Sequence, residues 1–112
     1  MKSRTRAIGP RLRIFLDPDF AIGPGKAEIL AGIKETGSIA AAGRRMGMSY
    51  KRAWNLVDAM NQHFRAPVVE AAKGGRAGGG AELTELGEEV LARYRNMTRL
   101  AQKAIEPDLK KL

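Results

Sequence analysis

A chain of 112 residues has room for one domain and one core, which excludes a large multidomain enzyme. Its 44% hydrophobic and 29% charged residues suffice to fold, no run approaches the roughly 20 apolar residues of a bilayer span, and zero cysteines exclude disulfides, thiol catalysis and Cys-based zinc sites. Twenty Lys and Arg against twelve Asp and Glu give +8, and the surplus sits in two blocks, +5 over 1–16 and +5 over 36–80, which suits a polyanionic partner. A basic surface kept only for solubility is the plainer alternative. The basic start, Met1 to Arg6, leads into no apolar stretch, so a soluble, unexported, cytoplasmic protein is expected.

In chain order, residues 1–9 read as a flexible basic arm. Arg11 to Asp17 alternates, with Leu12, Ile14 and Leu16 on one face, as a half-buried strand does, and Pro18-Asp19 turns the chain. Between Pro24, suited to a first helical position, and Gly37, suited to a stop, Ala27, Ile29, Leu30 and Ile33 form a helical apolar stripe. Ser38 is placed to cap a short second helix through Ile39, Ala42 and Met46 that Gly47 ends. Ser49 then caps a third, on which Ala53, Val57, Met60 and Phe64 recur at helical spacing until Pro67 forbids continuation.

Val68 to Ala72 and Ala81 to Thr84 are short strand candidates around the glycine-rich stretch from Gly74 to Gly80, so they read as a hairpin with a long tip. Thr84 caps a final long helix. There Val90, Tyr94, Met97, Ala101 and Ala104 alternate spacings of four and three, a seam expected to end before Pro107 and to pack on a second copy of the chain. The fold class expected is α+β, mostly α: a winged helix-turn-helix over 10–83 with a small antiparallel sheet, a dimerisation helix over 84–106 and a tail over 107–112.

Ile39 to Leu56 carries the chemistry. Two helices joined by so short a turn need small residues at the crossing and one residue at positive φ; Ala42 and Gly43 supply the first and Gly47 the second. Met46, Met48, Ala53 and Leu56 fill the crevice, which leaves Tyr50, Lys51, Arg52 and Asn55 outward. In a helix-turn-helix the start of the second helix enters the major groove, where Arg and Lys donate to guanine and Asn pairs with adenine. Ser49 and Tyr50 are candidates for phosphate contacts, Ser38 and Arg44 are further DNA-binding candidates, and Lys73 and Arg76 on the glycine tip are candidates for the backbone or minor groove.

Neither the glycine stretch nor Gly23-Pro24-Gly25-Lys26 has P-loop spacing. His63 lacks a metal-sharing neighbour, and Asp17 and Asp19 flank a turn proline, so no active site, metal or cofactor is expected.

On these residues the chain resembles the N-terminal DNA-binding domain of the molybdate-responsive ModE-type regulators, related to the LysR-type N-terminal domain. The likeness spans roughly residues 20 to 105 and rests on Thr36-Gly37-Ser38-Ile39, Met48-Ser49-Tyr50-Lys51 with Ala53-Trp54, Met60-Asn61, the Gly74 to Ala81 wing, and Leu83-Thr84 with Gly87. The resemblance implies dimerisation through the first and last helices and operator binding. Family members carry molybdate-binding domains after this one, whereas this chain stops at Leu112, so molybdate sensing is expected only through a separate partner protein. A homodimeric DNA-binding transcriptional regulator is the expected function; a winged-helix module that binds an acidic protein is the alternative.

Overall fold

The structure, a computed structural model, describes residues 9–72 and 80–112. Its elements run β1 (Ile14–Asp17), β2 (Phe20–Ile22), α1 (Pro24–Thr36), α2 (Ile39–Arg45), α3 (Tyr50–His63), β3 (Val69–Ala71), β4 (Ala81–Leu83) and α4 (Glu85–Leu109). This is a winged helix-turn-helix, mostly helical, extended by a long last helix.

The helix boundaries follow from local chemistry. Pro24 opens α1, and Gly37 closes it in the left-handed region at φ 76° with its N–H on Ile33 O. Ser38 and Ser49 cap α2 and α3, their hydroxyl oxygens accepting from Ala41 N at 3.0 Å and Arg52 N at 3.1 Å. Thr84 caps α4 through Gly87 N at 3.0 Å and donates its own hydroxyl to Pro67 O at 2.8 Å, so the cap also fixes where the last helix leaves the hairpin.

The core lies where α1, α3, the hairpin β3–β4 and the start of α4 meet. Ile29, Leu30, Ile33, Met60 and Val68 are fully buried there, each stabilising the fold by about 1.5–3 kcal/mol relative to exposure. Two contacts demand glycine for lack of space: a Cβ on Gly32 would stand 2.8 Å from the Ala42 methyl, and one on Gly87 2.1 Å from Val68 O.

Four details depart from the sequence expectations. The small sheet is two separate two-stranded antiparallel sheets, β1–β2 and β3–β4. The first contains an unforeseen strand, β2, which pairs Ile14 with Ile22 and Phe15 with Ala21. Its register slips between Phe15 and Asp17, and that irregularity ends the alternation: Leu12 and Ile14 are half-buried but Leu16 is exposed. Finally, α4 runs through Pro107 to Leu109 rather than stopping before it. Proline removes one N–H so close to the end, and Lys110 N still reaches Glu106 O at 3.1 Å.

His63, at the end of α3, stacks on Phe20 with ring centroids 3.9 Å apart, and its Nδ1 lies 3.2 Å from Asp17 Oδ2. The histidine thereby ties the β1–β2 hairpin to α3. No described helix is long and apolar enough to cross a membrane.

Candidate nucleic-acid interface

The turn between α2 and α3 is four residues, Met46 to Ser49. Met48 N donates to Gly43 O and Gly47 N to Arg44 O, both at 3.0 Å, so the end of α2 closes in a Schellman motif with Gly47 at φ 72°. A Cβ on Gly43 would touch the Ala53 methyl at 3.0 Å, which places the two helices as close as the sequence reading requires. The crossing buries Ala53, Val57 and Met60 on the inner side of α3.

The outer side of α3 is therefore fixed in direction by what is buried behind it. Tyr50, Lys51, Arg52 and Asn55 are all exposed, Tyr50 at 56%. Tyr50, Lys51, Asn55 and Trp54 line one shallow notch. Arg52 stands about 100° around the helix from Lys51, outside that notch.

Three cations elsewhere are paired: Arg45 with Glu35 at 2.7 Å, Lys34 with Glu88, and Arg93 with Glu89 at 2.8 Å. Arg44, Lys51 and Arg52 have no ion-pair partner among the described residues, so their charge is available to an anion. Arg44 is exposed at the end of α2, away from the notch.

A second depression, about 520 Å³, runs between α3, the start of α2 and the hairpin β3–β4 and brings Ser38 to the same groove as Tyr50 and Trp54. Ser38 and Ser49 each have their oxygen engaged as a helix cap, which leaves the O–H as a donor for an anionic oxygen. Lys73 and Arg76, the tip residues, lie outside the described residues.

The hairpin is anchored to this unit at two points. Ala81 N donates to Gly37 O at 2.9 Å, which joins β4 to the turn before α2. Asn61, near the end of α3, accepts from Val68 N at 2.8 Å and Val69 N at 3.2 Å and donates to Val69 O at 3.1 Å. Sequence reasoning names Asn61 and Trp54 only among the residues that carry the family resemblance and gives neither a role. The one signal for Trp54 is its position, one turn after Tyr50.

The seam on α4 is divided by the structure. Tyr94 is only 6% exposed and its hydroxyl donates to Leu12 O at 2.6 Å, so it belongs to the core of its own domain, as does Leu91. Met97 and Leu100, further along, are 37% and 51% exposed.

Comparison with known proteins agrees with this geometry. The chain is 55% identical over 73 residues to the molybdenum-pterin-binding protein MopB of Rhodobacter capsulatus, a match covering 65% of this chain and 27% of that protein. It is 37% identical over 94 residues to the transcriptional regulator ModE of Yersinia pestis, covering 84% of this chain and 34% of that one. The chain thus spans about a quarter to a third of the length of these relatives. A crystal structure of the CbnR DBD in complex with DNA shares the fold, with a TM-score of 0.61 at 21% identity over 78% of this chain and 94% of that one. The family model described as bacterial regulatory helix-turn-helix protein, lysR family, matches residues 26–88, from the first turn of α1 to the first turn of α4. With more than half its length inside that match, the chain belongs to the LysR family of bacterial regulatory helix-turn-helix proteins.

Proposed function

We propose that this chain is a sequence-specific double-stranded DNA-binding transcriptional regulator that acts in the cytoplasm as a homodimer, in the manner of the ModE-type regulators it resembles. What carries the reading is the unpaired basic face of α3. Its inner residues are buried, its outer residues are donors suited to base edges, and the charges beside them have no ion-pair partner among the described residues. In this reading Lys51, Arg52 and Asn55 read bases together with Tyr50. Ser38, Arg44 and Ser49 bind phosphates beside them, and Lys73 and Arg76 grip the backbone from the wing.

The homodimer is supported by α4. At 25 residues it is about 37 Å long, and its buried residues, Gly87, Leu91 and Tyr94, all fall in the first half. Met97, Leu100, Ala101 and Ala104 continue an apolar strip beyond the domain's own core, where a second copy of the helix would cover them.

A response to molybdate is assigned to a separate sensing protein or segment. Of the hydroxyls that could contribute to an oxyanion ring, Thr84 already donates to Pro67 O, and Ser38 and Ser49 cap two different helices.

Selection of bound duplexes from a random pool tests the proposal. A pseudo-palindrome with half-sites one helical turn or a multiple of it apart is expected. Recovery of no enriched sequence defeats it, and capture of acidic proteins in place of duplexes would favour the interaction-module alternative.

A further inference from the structure

Trp54 is the only tryptophan of the chain, and it is 45% exposed on the outer side of α3. Nothing in the fold requires it there: the helix is already anchored by Ala53, Val57 and Met60, which are buried. One turn earlier stands Tyr50, 56% exposed, so two large aromatic side chains stand one turn apart on the exposed side of the helix. Leaving them so is unfavourable unless a partner covers them, and tyrosine and tryptophan dominate binding energy where one does.

The two depressions that Trp54 borders differ in chemistry. Toward the hairpin, the described residues around the ring include two carboxylates, Asp58 and Glu70, and no cation. Toward the outer face, the ring shares its notch with Tyr50, Lys51 and Asn55, two of which carry donors that reach base edges. The ring therefore meets an apolar group at base level, and the major groove offers one such group, the 5-methyl of thymine.

We propose that Trp54 is a specificity-determining residue that takes a thymine methyl against its ring in the notch formed with Tyr50, Lys51 and Asn55. The proposal rests on the DNA-binding reading above and adds to it an apolar base contact beside the hydrogen-bonding ones. Because Lys51 and Asn55 flank the ring, the thymine lies next to a base pair that one of them reads, so the preference should fall inside the half-site and not at its edge.

The test replaces thymines one at a time by uracil in the duplex recovered from selection and measures affinity by fluorescence of a labelled duplex. Removing one buried methyl is worth about 0.8 kcal/mol, or about fourfold in affinity. Wild-type protein should lose about that factor at one thymine per half-site and nothing at the others. Trp54→Ala should bind the thymine duplex several-fold more weakly and should no longer distinguish uracil from thymine there. Its melting temperature should stay close to wild type, since the side chain is exposed.

Intrinsic fluorescence supplies an independent reading, because all indole emission comes from Trp54: the selected duplex should shield it from iodide, and the uracil duplex should shield it less. Wild-type protein that binds selectively yet is indifferent to uracil at every thymine overturns the proposal and leaves DNA binding standing. Trp54→Ala that keeps the thymine preference, or that weakens all duplexes equally, overturns it too, the latter marking Trp54 as a backbone contact. Absence of any selective duplex would overturn both readings together.

Discussion

One carboxamide holds the β3–β4 hairpin to α3: Asn61 brackets Val69, accepting from its N–H at 3.2 Å and donating to its C=O at 3.1 Å, while also accepting from Val68 N at 2.8 Å. These three bonds fix the start of β3 against the end of α3. Asn61→Ala leaves three backbone groups in search of water in a partly buried place, at a cost of about 1–3 kcal/mol. Thermal unfolding should show a midpoint lower by at least about 4 °C. Asn61→Asp should fall less far at the N–H groups but set a carboxylate oxygen against Val69 O, so it should not restore the wild-type midpoint. An unchanged midpoint in both variants would show the bracket to be idle.

The parts of this molecule visible in the sequence are those whose causes are local. Pro24 and Gly37 bound α1, Ser38 and Ser49 cap the next two helices, and Gly47 takes the positive φ of the turn, because each of these residues acts within about one helical turn of itself. What escaped reading is non-local. Asn61 gains its meaning only from Val69 across Pro67, and Tyr94 from Leu12, 82 residues away. A heptad-like seam records that a residue is covered but not by which chain, which is why Tyr94 reads as an interface residue and is found in the domain's own core. The strand β2 has three residues, too few for a period of two to declare itself, and the register slip at Leu16 hides its partner.

The same substitution should have opposite signs at two helical glycines. Gly25, in the first turn of α1, has nothing within 4 Å of where a Cβ would stand, so Gly25→Ala should stabilise the fold by about 0.4–1 kcal/mol through the unfolded chain. Gly87 faces Val68 O at 2.1 Å from that position, and no flexible side chain is there to yield. Gly87→Ala must push α4 off the hairpin and should cost about 1–3 kcal/mol, the range of overpacked cores. Denaturant midpoints that move in the same direction would contradict the close approach of α4 to Val68.

On the DNA side, division of labour between α3 and the wing is testable by comparing two arginines. Arg52→Ala should cost about 1–3 kcal/mol on the selected duplex and relax preference at particular base pairs. Arg76→Ala, on the glycine tip, should weaken all duplexes alike and lower the salt slope by about one. A changed motif on loss of Arg76 would move base reading to the wing.

The dimer prediction separates two residues of one helix that look alike in sequence. Met97 is 37% exposed, and the apolar strip it begins continues through Leu100 and Ala101 beyond the domain's core. Two-fold pairing of α4 helices would bring Met97 of each copy to the same dry seam, so Met97→Glu would bury two like charges without partners and should shift the chain to monomer at micromolar concentration. Tyr94 is held instead by Leu12 O and the surrounding core. Tyr94→Phe should therefore lower stability by about 1 kcal/mol, the net worth of one hydrogen bond, and leave association unchanged. Sedimentation velocity on the wild type and both variants decides the matter. A monomeric wild type, or a Met97→Glu variant as dimeric as the parent, would remove α4 from the interface and leave its second half without the partner its length and apolar strip call for.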